Sequence, residues 1–355
     1  MEIKKLTEIC TPKQWKTLSM EQLQTSGFPV YGANGKIGFY SEYNHEEKTL
    51  MITCRGATCG SINISEPKSW INGNAMCLDN LRDDVYITYL EHFLKNYDFS
   101  KIITGSAQPQ ITRESLSNVK IKIFSIETQK QIATMLDKVS KIIAENKELL
   151  VKYDLLIKSR FIEMFGDDKY PKIHISDMVE GKVDSAKKIF DKKDEIKYID
   201  ISSVDNKINE IIGYTECVFE EAPSRAQQHI RQNDILISTV RPNLKNIAIN
   251  KLPYTETVAS SGFCVLRPKY VPEYLFLAVL QDKFTNDMVA VTTGANYPAI
   301  KDSDILNYEI ANPPIELQNS FAAFVQQIDK SKFTVQKSLE KAETLYKSLM
   351  QEYFA

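Results

Sequence analysis

Residues 104–165 of this chain are written a second time as residues 293–354. Thr104, Gly105, Pro109, Ile111, Asn118, Ile126, Glu127, Gln129, Ala133, Lys158, Ser159, Glu163 and Phe165 recur as Thr293, Gly294, Pro298, Ile300, Asn307, Ile315, Glu316, Gln318, Ala322, Lys347, Ser348, Glu352 and Phe354. The offset never changes (294 − 105 = 189), so no insertion or deletion separates the copies. A chain that repeats so much of itself folds as two similar units and presents two similar surfaces. Whatever it does is expected to come in two halves.

With 355 residues, 43% of them hydrophobic, the chain is long enough to bury more than one core, in agreement with the repeat. No apolar run approaches the roughly 20 residues needed to cross a bilayer, and nothing at the start resembles a cleavable signal. A soluble, cytoplasmic protein without membrane contact is expected. Six cysteines and four histidines fall at irregular spacings with no C-x-x-C pair. No metal site is expected from that pattern, and the cysteines, Cys54 and Cys59 included, read as thiols in a reducing compartment. A net charge of −2 and a pI near 6.2 lack the bulk signature of a nucleic-acid binder. Any DNA-binding face must therefore come from local clustering of cations.

The texture of the chain alternates. Residues 1–125 read as an α+β globule, with strands at 28–31, 37–40, 50–53, 61–64 and 75–78 and one helix over 85–97 whose apolar face carries Tyr86, Leu90, Phe93 and Leu94. Residues 126–167 read as a glycine-free long helix up to Phe165, stopped by Gly166 and the following Asp167-Asp168. Its heptad seam runs through Ile132, Leu136, Val139, Ile143, Asn146, Leu150, Tyr153, Ile157, Arg160 and Met164. A second α+β globule spans 168–313, with strands at 197–201, 235–238, 246–249 and 263–266 and a helix from Pro272. Residues 314–355 form the second long helix, with Phe321, Val325, Ile328, Lys332, Val335, Leu339, Ala342, Tyr346, Leu349 and Tyr353 along its seam. Each helix alone exposes an apolar stripe, and antiparallel pairing within the chain buries both. Asn146 opposite an apolar residue, or Arg160, is expected to fix the register.

Three motifs call for chemistry. Asn312-Pro313-Pro314-Ile315 resembles the base-holding loop of adenine methyltransferases but lacks the aromatic that stacks on a flipped base, so it reads as a helix start. Gly32-Ala33-Asn34-Gly35-Lys36-Ile37-Gly38 lacks the Walker spacing and reads as a hairpin, with a backbone-contacting nucleic-acid loop as the alternative. The duplicated turns Thr104–Ile111 and Thr293–Ile300 keep their frame but differ in their polar tips, Gln108 against Tyr297 and Gln110 against Ala299, with Asn296 beside them. Gln and Asn pair with adenine edges, so these turns are either reading loops or purely structural. Cations beside strands complete the DNA-contact candidates: Lys36, Arg55, Lys68 next to Trp70, and Arg113 in the first globule, then Arg225, Arg231, Arg241 and Lys245 in the second. Arg55 and Arg241 read as counterparts. No Ser-His-acid set, paired carboxylates or acidic nuclease cluster is evident, which disfavours catalysis.

The order globule, long helix, globule, long helix resembles the specificity subunit of type I restriction-modification systems. Pro29-Val30-Tyr31-Gly32-Ala33-Asn34-Gly35, the two Thr-Gly turns and Glu127–Ala133 carry the likeness. The resemblance implies two target recognition domains, each reading half of a bipartite double-stranded DNA target, and helices that set the spacer and dock methyltransferase subunits. It implies no catalysis or cofactor in this chain. S-adenosylmethionine would belong to the modification subunits, and ATP and Mg to a motor and nuclease subunit. The competing readings are a coiled-coil scaffold with two protein-binding globules and a stand-alone methyltransferase.

Overall fold

The computed structural model describes residues 1–105, 108–166, 169–294 and 298–354. The chain divides into two compact units, Met1–Glu148 with Gln336–Ala355, and Leu149–Val335. The division cuts through both long helices, which run Ile126–Phe165 and Ile315–Phe354 and have the same length and the same repeat register. Each begins as the sequence directs. Gln129 Nε2 donates to Phe124 O (2.9 Å) and Gln318 Nε2 to Pro313 O (2.9 Å), so a buried glutamine ties the first turn back to the residue two before its start. The central helix ends where Gly166 N donates to Ile162 O; a Cβ on Gly166 would lie 2.5 Å from that oxygen.

In the first unit the strand Glu2–Lys5 pairs antiparallel with Lys120–Ile123 and leads into a one-turn helix, Leu6–Ile9. A four-stranded sheet follows in the order Thr11–Lys13, Ala75–Asp79, Leu50–Thr53, Ile62–Ile64, and Leu50–Thr53 is buried at every position. A three-stranded sheet combines the hairpin Phe28–Gly32 and Gly35–Tyr40 with Trp70–Ile71. The core joins Leu6, Leu50, Ile52, Tyr89 and Leu90 to Ile132, Leu136 and Val139 of the central helix and to Ala342 and Leu349 of the C-terminal one. Here the helices run antiparallel. Asp137 and Tyr346 meet at His92, whereas nine residues further along the central helix Asn146 Nδ2 donates to Ser338 Oγ (3.1 Å).

In the second unit Lys172–His174 pairs with Glu309–Ala311 and leads into the helix Ile175–Met178. A three-stranded sheet is ordered Ile247–Ile249, Ile235–Ser238, Phe263–Leu266. A four-stranded sheet, Thr215–Val218, Glu195–Ile199, Thr257–Ser260, Ala226–His229, contains a parallel central pair. Ile157, Phe161 and Phe165 pack with Phe321, Val325, Ile328 and Tyr274, and Lys332 Nζ reaches Asp154 (2.7 Å), so the helices pair antiparallel here too.

The duplicated frame is larger than the ungapped repeat. Tyr89 Oη donates to Lys122 O (2.8 Å) and Tyr274 Oη to Ala311 O (2.7 Å). Leu6 N donates to Val119 O, and Ile175 N to Tyr308 O. Phe354 packs on Tyr89, and its repeat partner Phe165 packs on Tyr274. Each unit thus uses the start of one long helix and the end of the other. What differs is the chain between the first short helix and the central strand, residues 10–49 in one unit and 179–234 in the other.

Two expectations need correction. Asn146 faces a hydroxyl rather than an apolar residue, bonding across to Ser338 of the other long helix, and Arg160 pairs with Glu163 on its own helix (2.8 Å). Every other seam position of both helices is buried or half-buried. The pairing of Arg55 with Arg241 is wrong by one residue. Ile111 N donates to Cys54 O and Ile300 N to Thr239 O, while Gly56 N and Arg241 N donate to Pro109 O and Pro298 O. Arg241 therefore stands where the first unit has Gly56, and Arg55 matches Val240.

Candidate nucleic-acid interface

Three loops of the first unit converge. The hairpin tip Ala33-Asn34 is held from below, with Thr53 Oγ1 and Asn63 Nδ2 donating to Ala33 O, and Thr58 Oγ1 donates to Asn34 Oδ1 (2.6 Å). The turn 104–110 closes on itself through reciprocal backbone bonds between Thr104 and Gln110, with Gly105 at φ +85°, a conformation that favours glycine. Gln110 in turn bridges to Arg55. Asn34, Arg55, Thr58 and Gln110 thus belong to one set of linked loops. Arg55 and Gln110 are exposed, as is Gln108. Arg55 makes no side-chain hydrogen bond or ion pair among the described residues. Its charge acts against the burial that pushes up the thiol of neighbouring Cys54.

The other first-unit candidates are placed differently. Lys36 sits on the hairpin but pairs with Glu66 (3.5 Å) and lies 4.5 Å above the Phe39 ring. Lys68 pairs with Glu46, and its neighbour Trp70 donates to Lys16 O. Arg113 is exposed in the short helix Arg113–Leu116 and makes no side-chain hydrogen bond or ion pair among the described residues. Sequence reasoning placed Asn34 in a hairpin loop but passed over Thr58, since the hydrogen bond between them exists only once two loops meet.

In the second unit the turn closes in the same way, with Thr293 and Ala299 exchanging backbone bonds and Val240 bridging to Ala299. Asn296 and Tyr297 lie outside the described residues. Arg241 and Lys245 flank the turn Pro242–Leu244, both left-handed, at φ 52° and 53°. Such strain in non-glycine residues costs on the order of 1–3 kcal/mol and concentrates at functional sites. Asn206 and Asn209 donate to Leu244 O and Lys245 O, fixing the turn from the inserted segment. Lys245 pairs with Asp282 and holds its carboxyl below the usual carboxylate range through that hydrogen bond. Arg225 is exposed beside Ser261, which donates to its carbonyl. Arg231 reaches Asp184 (3.4 Å), and its backbone donates to buried Asp234. Both units thus join a fixed turn to a divergent insertion that bears polar and cationic tips.

A duplicated frame with unlike insertions defines a protein of two related domains. The family model described as the type I restriction modification DNA specificity domain matches residues 1–152 and again 169–343, and the chain belongs to that family. Among its relatives is the type I restriction enzyme EcoprrI specificity subunit of Escherichia coli, 29% identical over 111 residues, or 31% of this chain and 27% of that one. The MjaVIII specificity subunit of Methanocaldococcus jannaschii is 22% identical over 338 residues, 86% of this chain and 77% of its own. This chain thus spans about a quarter of the E. coli relative it matches and about three quarters of the archaeal one. Among solved structures the S subunit of the type I restriction-modification system of M. genitalium shares the fold, with a TM-score of 0.66 at 14% identity over 100% of this chain and 96% of that one. No helix among the described residues is long and apolar enough to cross a membrane.

Proposed function

We propose that this chain is the DNA-reading subunit of a type I restriction-modification complex, in which each globule reads one half of a bipartite double-stranded target. The observation that carries this reading is the repeated frame with divergent insertions. A common frame presents each reader in the same pose, while residues 10–49 and 179–234 supply different surfaces. In the first globule Arg55, Gln108 and Gln110 suit phosphate and adenine-edge contact, with Asn34 beside them. In the second, Arg241 and the Arg225 region take that role, while Lys245 is engaged by Asp282.

This chain would supply the address and no catalysis. S-adenosylmethionine would be used by modification subunits, and ATP and Mg by a restriction subunit. The central helix offers those partners Met135, Ile142, Leu149 and Leu156, exposed apolar residues spaced seven apart and separate from the buried seam. The scaffold reading draws no support from the family match. Binding of duplex DNA by this chain with its modification subunits, measured against salt, tests the proposal. A sequence-dependent affinity that falls steeply with salt is expected. Affinity indifferent to both sequence and salt would refute it.

A further inference from the structure

The strand Ala75–Asp79 and its counterpart in the second unit, which runs Phe263–Leu266, end differently. Opposite the matching central strands, Cys77 pairs with Met51 and Val265 with Leu236, so Asp79 corresponds to Arg267. Arg267 is buried and makes two hydrogen bonds to Asp234 (3.0 and 2.8 Å), a permanent cation on a buried carboxylate. At that place the first unit has the carboxylate of Asp79 and no arginine. His45 faces it instead, with Nε2 3.1 Å from Asp79 Oδ1 and the side chain 8% exposed.

The surroundings of His45 fix its role. Asn44 is locked in one orientation because Ile71 N donates to its Oδ1 (2.8 Å) while its Nδ2 donates to Ile71 O (3.1 Å). His45 Nδ1 therefore donates to Asn44 Oδ1 at 2.6 Å, leaving Nε2 aimed at Asp79. The other oxygen of Asp79 accepts from Trp15 Nε1 (2.9 Å). Cys77 lies two residues before Asp79, on the same face of the strand, and is fully buried. The donor atoms of His45, Cys77 and Asp79 all lie within 4.8 Å of one another.

We propose that His45, Cys77 and Asp79 form a structural site for a borderline-soft divalent cation of the zinc class in the first globule. Three ligands of imidazole, thiolate and carboxylate type suit that ion, and bond lengths of about 2.0–2.3 Å put ligand atoms roughly 3.3–3.7 Å apart. The His45–Asp79 separation is already near that value, and the Cys77 thiol closes by about 1 Å. Asn44 and Trp15 form the outer hydrogen bonds that orient a metal-bound imidazole and carboxylate. Thiolate and carboxylate together neutralise the dication, so the buried site carries no net charge. A fourth position falls to water. Burial, with nearby Asp79, pushes the Cys77 thiol well above its usual range, and Lys13, whose ammonium lies 3.6 Å over the Trp15 ring, acts against that. In the metal-free state both His45 nitrogens face acceptors. Binding expels the proton of the Cys77 thiol, since only the thiolate ligates, and takes His45 Nε2 as an unprotonated donor. The ion would tie loop 41–49, whose His45 backbone pairs with Ser69, to the strand bearing Asp79, steadying the base of the hairpin 28–40.

The test uses the full chain, stripped with a chelator and titrated with Co2+ alone, without DNA, so that it stands apart from the DNA-reading proposal. One saturable equivalent is expected, with a thiolate-to-cobalt band in the near ultraviolet, release of the thiol proton, tighter binding at higher pH, and displacement by Zn2+. Cys77→Ser should abolish the band, and Cys264→Ser, a buried cysteine of the second globule, should leave it. His45→Gln should weaken binding at least tenfold with an unchanged far-ultraviolet spectrum. Absence of saturable binding by the unmodified chain, or a band that survives Cys77→Ser, overturns the site. Should Cys77→Ser fail to fold, the His45→Gln titration decides the matter.

Discussion

Arg55 tests the reading surface one side chain at a time. If this exposed cation on the linked loops is the proposed phosphate or base contact, Arg55→Ala should weaken DNA binding and lower the slope of log affinity against log salt by about one unit. An unchanged slope would remove Arg55 from the interface. Lys68, engaged by Glu46, should change affinity far less. The buried Arg267–Asp234 pair is a matter of stability. Asp234→Ala leaves a guanidinium without its anion and should cost about 3–5 kcal/mol in urea unfolding. Little of this was legible in the sequence. Cations beside strands are visible in one dimension, but whether a carboxylate neutralises them depends on partners such as Glu66, Glu46 and Asp282, 22 to 37 residues away. The Arg55 register slipped by one because the two central strands read alike, and only their bonds to the Thr-Gly turns reveal which residues correspond.

The long helices were the most legible elements, since a glycine-free heptad pattern bounded by Ile126 and Gly166 leaves few alternatives. Leu136 is fully buried between globule and helix pair, and Leu136→Ala should cost about 2–5 kcal/mol. Exposed Leu156 should tolerate alanine with a change within about 0.5 kcal/mol. If the outer stripe docks modification subunits, Leu156→Ala should nonetheless weaken their pull-down. The strands of the second globule were harder to read. Thr215–Val218 and Ala226–His229 carry Glu, Gln and His on exposed faces, without the clean alternation that marks a strand. The helix Asp282–Ala290 follows another after a short break and has no strong start signal. The edge pair Glu2–Lys5 with Lys120–Ile123 joins residues more than a hundred positions apart, and no local pattern announces it.

For the whole molecule, duplication makes the halves separable in their effects. Deleting seven residues from each long helix, about 10 Å, should shorten the preferred gap in the DNA target by about three base pairs. Exchanging residues 179–234 for the corresponding insertion of another family member should alter one half of the recognised sequence and leave the other intact. The most direct measurement is the methylation map of a host expressing this chain with its modification subunits, taken before and after that exchange. Two-headed reading predicts a bipartite motif with a fixed gap, of which one half alone changes. A continuous motif, or one in which both halves change together, would contradict it.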